Sequence, residues 1–142
     1  MLYTAKTKQA IKLCFEAHKD QLDKSGLPYV FHPFHLAEQM TEENTVVAAL
    51  LHDVVEDTPY TFDDLLAMGF GEEVVAALRL LTHDDAVPYM DYVANIKANP
   101  IARAVKLADL RHNSDLSRLD AVDEKALRRC EKYAEAIRLL TE

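Results

Sequence analysis

Basic residues are scarce in this sequence. Sixteen Lys and Arg stand against 24 Asp and Glu in 142 residues, a net charge of −8. That balance argues against a nucleic-acid or anionic-membrane surface, since both are bound through excess Lys and Arg. The two cysteines, Cys14 and Cys130, are too few for a disulfide framework or a Cys-rich zinc site, and are expected as buried thiols. No apolar run approaches the roughly 18 residues of a membrane span, and the opening MLYTAKTKQAIK has no signal-peptide pattern. The expectation is a soluble, cytoplasmic, single domain over residues 1–142, since one domain takes roughly 100–200 residues. A chain of this size hides roughly 68–70% of its unfolded surface, enough for a real core.

With three glycines and five prolines there are few places to turn. The breaks fall at KSGLPY, DTPYT, MGFG, AVPY and ANP. Between them the apolar residues recur with helical period: Ile11, Cys14, Phe15 and His18, then Ile101, Ala104, Val105 and Ala108. No alternating β-branched stretch competes. The pattern predicts an all-α bundle of about seven to eight helices, near 3–20, 33–40, 43–57, 62–68, 71–82, 88–98, 100–117 and 122–140. The last of these carries Leu127, Cys130, Ala134 and Ile137 as its apolar stripe. Gly69-Phe70-Gly71 follows no strand and lacks a third glycine, so it reads as a turn between helices and not as a nucleotide loop.

Residues 43–57, ENTVVAALLHDVVED, break the local rules. The segment is apolar nearly all round, as a central helix is, yet it holds His52, Asp53, Glu56 and Asp57. Read as one helix ending before Pro59, it puts Glu56 and Asp57 in the last turn, where the macrodipole disfavours carboxylates. Buried acids also need a partner. The spacings His52/Glu56 and Asp53/Asp57 are both i, i+4, which sets two adjacent rows on one face. An imidazole beside a carboxylate is half a site for a divalent metal.

Two other segments repeat the anomaly. In PYVFHPFHLA, Pro33 holds His32 at a loop-to-helix junction. In IARAVKLADLRHNS, Asp109 falls on a strongly apolar helix with Asn113 one turn later. Together His32, His52, Asp53 and Asp109 offer two nitrogens and two oxygens, which suits Mn²⁺, Fe²⁺, Co²⁺ or Zn²⁺ with open positions to spare.

The order H…HD…D is the signature of HD-domain metal-dependent phosphohydrolases. AHKDQLDKSGLPYVFHPFHLA, ALLHDVVEDTPYTFDDLL and AVKLADLRHNS further resemble, in order and spacing, the hydrolase domain of the RelA/SpoT family and its small stand-alone hydrolases. The resemblance implies a helical HD-domain bundle, one bound Mn²⁺, and hydrolysis of the 3′-pyrophosphate of guanosine tetra- and pentaphosphate, (p)ppGpp. It implies His32, His52, Asp53 and Asp109 as metal ligands and Glu56 and Asp57 as the pair that activates water. Asn113 matches a residue near the substrate ribose, and Lys24 and Ser25 match a segment bordering the nucleotide. Asp23 stands where such hydrolases often carry an arginine that stacks on guanine, and an acid cannot supply that stack. It can instead hydrogen-bond a base edge or lie in solvent.

Other residues carry weaker expectations. His35 reads as packed or exposed, and Arg111 and His112 as pointing away from the Asp109–Asn113 row. His18 reads as structural, Lys106 as a partner of either phosphate or a ligand carboxylate, and Tyr29 as lining pocket or core. The chain is too short for the synthetase part of the long RelA/SpoT proteins, so synthesis of (p)ppGpp is not expected. The competing functions are an HD-domain phosphatase for another phosphorylated nucleotide and a silent nucleotide-sensing module. Retention of every proposed ligand, with Glu56 and Asp57, weighs against the silent module.

Overall fold

Helix α1 (Ala5–His18) begins at a capping box in which Thr4 and Thr7 satisfy each other's backbone N–H groups. The computed structural model describes all residues, 1–142, and apart from an isolated bridge between Leu22 and Pro28 it is helical. After α1 come α2 (Phe31–Glu38), α3 (Glu43–Leu51), α4 (Val54–Asp57), α5 (Phe62–Ala67), α6 (Glu72–Leu81), α7 (Tyr89–Ile96), α8 (Pro100–Asn113) and α9 (Glu124–Thr141). A 3₁₀ turn, Leu116–Arg118, joins the last two. Side-chain caps start three further helices: Thr61 and Asp64 box the start of α5, Asn99 caps α8 with Pro100 at its first position, and Asp123 caps α9. Between α5 and α6, Gly69 and Gly71 take positive φ of 88° and 92°. Only glycine adopts that backbone freely, and here it folds Phe70 inward to 1% exposure.

α3 is the axis of the bundle. Val46 to Leu51 are all buried, and α1, α2, α6 and α8 pack around them. One contiguous core of 27 residues follows, drawn from every helix except α9's first half. No helix is long and apolar enough to cross a membrane.

Three expectations need correction. The single helix over 43–57 is two, because α3 stops at Leu51 and α4 restarts at Val54. His52 Nδ1 donates to the Ala49 carbonyl at 2.7 Å, taking an acceptor from the helical ladder. Asp53 then rests at φ −108°, ψ 2°, outside the helical well. The stripes also rotate. α1 buries Ala10, Cys14 and His18 while Phe15 is exposed; α8 buries Ala102, Val105, Ala108 and Asp109; α9 buries Ala126, Ala136 and Leu140 while Leu127 and Ala134 face solvent. Alanine packs closely and carries little hydropathy signal, so larger neighbours drew the sequence reading off the true face. Finally, Cys14 is buried but Cys130 is only half-buried.

The rotated faces give a direct contrast. Leu50→Ala, at 0% exposure, should cost about 2–5 kcal/mol in denaturant unfolding, whereas Leu127→Ala should stay within about 0.5 kcal/mol of wild type.

Candidate active site

Three helices converge on one carboxylate. Asp109 sits on α8 facing α2 and the end of α3, and it is 7% exposed. Its Oδ1 lies 2.8 Å from His32 Nε2 and 3.5 Å from His52 Nε2, and accepts from Asn113 Nδ2 at 3.0 Å. Its Oδ2 accepts from Lys106 Nζ at 3.0 Å. One donor atom from each of His32, His52 and Asp109 falls within 4.8 Å of the others, all three residues being buried. Asp53 closes the group from the side: its Oδ2 is 3.0 Å from His52 Nε2 and accepts from the Tyr29 hydroxyl.

Charge explains the protonation pattern. Burial opposes ionisation of Asp109, but the Lys106 ammonium, then His32 and His52, hold its carboxyl well below the usual range. Burial would lower His52, yet Asp53 and Asp109 raise it well above an ordinary histidine. Burial raises the Tyr29 phenol strongly, and Asp53 adds to the effect, so Tyr29 stays a donor. The cluster carries two carboxylates in a low-dielectric setting and calls for positive charge at its centre.

The donor set fits a divalent cation on one specific observation. His52 Nδ1 is committed to the Ala49 carbonyl, which leaves Nε2 as the free end of the ring. That Nε2 is buried with no hydrogen-bond partner, although two carboxylate oxygens lie beside it. Between the carboxylates that nitrogen favours its protonated form, and a borderline divalent ion would take the place of the proton.

Glu56 and Asp57 lie at the rim of the cluster, both exposed. The apolar run that carries them predicts burial with the proposed ligands; the structure instead turns them outward. The break at His52–Asp53 ends the long helix, so the macrodipole penalty inferred for its last turn also lapses. Residual burial, then Asp53, still lifts both carboxyls above their ordinary values.

A groove of about 340 Å³ opens beside the cluster. Tyr29, His32 and Asn113 belong to both, and Lys24, Arg118 and Arg129 line its other walls. Partial burial, then the neighbouring Arg129 and Lys125, lower the pKa of Lys24, and Asp23 and Asp115 line the groove beside these cations. The loop carrying Lys24 and Ser25 is held in place, because Ser25 Oγ donates to the Arg118 carbonyl at 2.6 Å. Asp23 also lines the groove and is partly buried there. Its Oδ1 accepts from the backbone N–H groups of Ser25 and Leu27, and its Oδ2 lies 4.0 Å from Arg118 Nη2.

This geometry has counterparts. Residues 10–112 match the HD domain family. The chain belongs to that family. It is 33% identical over 129 residues to the guanosine-3′,5′-bis(diphosphate) 3′-pyrophosphohydrolase MESH1 of Danio rerio, covering 81% of this chain and 71% of the relative. It is 34% identical over 121 residues to the bifunctional (p)ppGpp synthase/hydrolase SpoT of Escherichia coli, covering 75% of this chain but only 17% of SpoT. A solved structure described as a metazoan ortholog of SpoT that hydrolyzes ppGpp superposes with a TM-score of 0.80 at 26% identity, over 99% of this chain and 88% of that one.

The structure thus joins His32, His52 and Asp109, sets Asp53 against His52, and places Asn113, Lys24 and Ser25 on the groove. Tyr29 lines the pocket, and Lys106 pairs with a carboxylate. His112 was expected to point away and instead contacts His32, their Nδ1 atoms 2.7 Å apart. Arg118 and Arg129 were missed, because irregular backbone and a helix's polar side carry no periodic signal.

The Lys106–Asp109 pair yields a test. Lys106→Met leaves a buried carboxylate without its ammonium and should cost about 3 kcal/mol in denaturant unfolding in a chelator. Adding Asp109→Asn should recover most of that loss; an additive double variant would contradict the pairing.

Proposed function

We propose that the chain is a metal-dependent phosphohydrolase that removes the 3′-pyrophosphate of (p)ppGpp, with residues 1–142 forming one HD-phosphohydrolase domain. The observation that carries this is the buried His32–His52–Asp109 cluster, with Asp53 beside it and a cation-lined groove at its mouth. The MESH1 and SpoT relatives and the structural neighbour support the substrate.

In this reading His32, His52, Asp53 and Asp109 hold one divalent ion, Mn²⁺ first among those the donor set suits. When bound, the ion supplies Lewis-acid neutralisation of phosphate charge and acidification of water. Glu56 and Asp57, at the rim with raised carboxyl pKa values, position water and take its proton. The water oxygen bonds to the phosphorus on the ribose 3′ oxygen, the bond from that phosphorus to the 3′ oxygen breaks, the 3′ oxygen takes up the proton water gave, and pyrophosphate leaves the nucleoside 5′-di- or triphosphate. Asn113 borders the ribose, and Lys24 and Ser25 border the nucleotide. Positioning and charge are most of what phosphoryl transfer requires. The net charge of −8 is consistent with a small nucleotide as partner, rather than nucleic acid or an anionic membrane.

One observation keeps a second substrate in view. Asp23 is engaged with its own turn and with Arg118, so the cation beside it comes from Arg118. An HD-domain phosphatase for another phosphorylated nucleotide is consistent with that wall.

Asp53→Ala should lose metal and turnover together, while Glu56→Ala keeps the metal and loses about 10²–10⁴-fold in rate. Metal analysis and a phosphate-release panel with Mn²⁺ read both. Pyrophosphate from (p)ppGpp alone supports the first substrate, orthophosphate from other nucleotides the second, and an active Asp53→Ala enzyme contradicts the site.

A further inference from the structure

His112 precedes Asn113 on α8 and has no place among the acidic and imidazole residues that the HD pattern marks. Packing gives it one. Its ring lies parallel to that of His32, with centroids 5.0 Å apart and 5° between planes. His35 closes over it at 4.2 Å and 31°, so the ring is held between two other imidazoles. Arg118 Nη1 donates to the His112 carbonyl at 2.9 Å and anchors the end of α8. His112 Nδ1 comes to 2.7 Å from His32 Nδ1.

Two imidazole nitrogens at that distance share one hydrogen: one donates and the other accepts. Which one donates is set at the far end of His32. Its Nε2 faces Asp109 Oδ1 at 2.8 Å, inside the cluster. To ligate a cation, Nε2 must be a bare lone pair, so the ring hydrogen must sit on Nδ1. The acceptor in place for that hydrogen is His112 Nδ1, which fixes His112 as the Nε2–H tautomer. When Nε2 of His32 instead carries hydrogen toward Asp109, the roles reverse: Nδ1 of His32 accepts and Nδ1 of His112 donates. Two hydrogens serve the neutral pair in either arrangement. A carbonyl or carboxylate in this position would match the first alone, whereas imidazole matches both.

We infer that His112 is a positioning residue, whose Nδ1 lone pair orients His32 and selects the tautomer able to hold a divalent cation. The inference rests on His32 being a metal ligand, as proposed above. It extends the site to a residue that does not touch the cation.

The test is a Mn²⁺ titration of the full chain, followed by the electron paramagnetic resonance signal of the free ion, with no turnover needed. His112→Ala should weaken Mn²⁺ binding by about 10- to 100-fold, the usual loss for such an outer partner. His112→Asn puts an amide oxygen where Nδ1 was, and should restore most of the affinity. In ¹⁵N-histidine spectra of the Zn²⁺-loaded protein, His112 should be the Nε2–H form. Unchanged affinity in His112→Ala, or equal loss in the Ala and Asn variants, overturns the inference by leaving at most a packing role. His32→Ala separates the two levels: if it binds Mn²⁺ like wild type, the metal reading itself falls and the inference with it. If it loses Mn²⁺ while His112→Ala does not, only the role of His112 is wrong.

Discussion

A carboxylate buried at the junction of three helices is the constraint from which the rest of this molecule follows. An unpaired charge in that position would cost several kcal/mol, a large share of what holds a domain of this size together. Asp109 is therefore surrounded on every side: Lys106 from its own helix, His32 from α2, His52 from the end of α3, and Asn113 one turn on. Asp53 and Tyr29 extend the network. The same partners that make the carboxylate tolerable also converge imidazole nitrogens and carboxylate oxygens on one point. Satisfying a buried charge and gathering donor atoms that could hold a cation are here a single structural solution.

The scaffold suits that task. α3 is apolar on all sides and packed by four helices, so His52 at its end is held by a rigid core. The break after Leu51 is local, made by the His52 ring reaching back to the Ala49 carbonyl. That hydrogen bond frees Nε2 for the cluster and turns the following acids outward. Glu56 and Asp57 consequently sit exposed at the rim, while His32, His52 and Asp109 stay buried.

Charge has two scales in this protein. Over the whole chain the excess is negative, yet the groove beside the cluster is lined by Lys24, Arg118 and Arg129. A cation bound among the carboxylates reverses the field again. Asp23 and Asp115 share that lining, so the groove mixes both signs, and global charge is a guide only to large partners.

Much of this was legible in the linear sequence. The sparse glycines and prolines marked the helix boundaries within a few residues, the HD pattern marked His32, His52, Asp53 and Asp109, and an apolar run singled out the central helix. These are local properties, carried by spacing and composition. What only the tertiary structure decided involves residues far apart in the chain. The apolar stripes of α1, α8 and α9 turned toward alanines, because close packing rewards fit as well as hydropathy. The helix ended at His52 because a side chain competed for a backbone carbonyl. His32 met His112, Asp23 met Arg118, and Glu56 and Asp57 met water, since each contact depends on how separate helices cross and not on any repeat within one. The sequence by itself determined an all-α chain with buried acids in need of a positive partner; the crossing of α2, α3 and α8 decided which side chains answer that need.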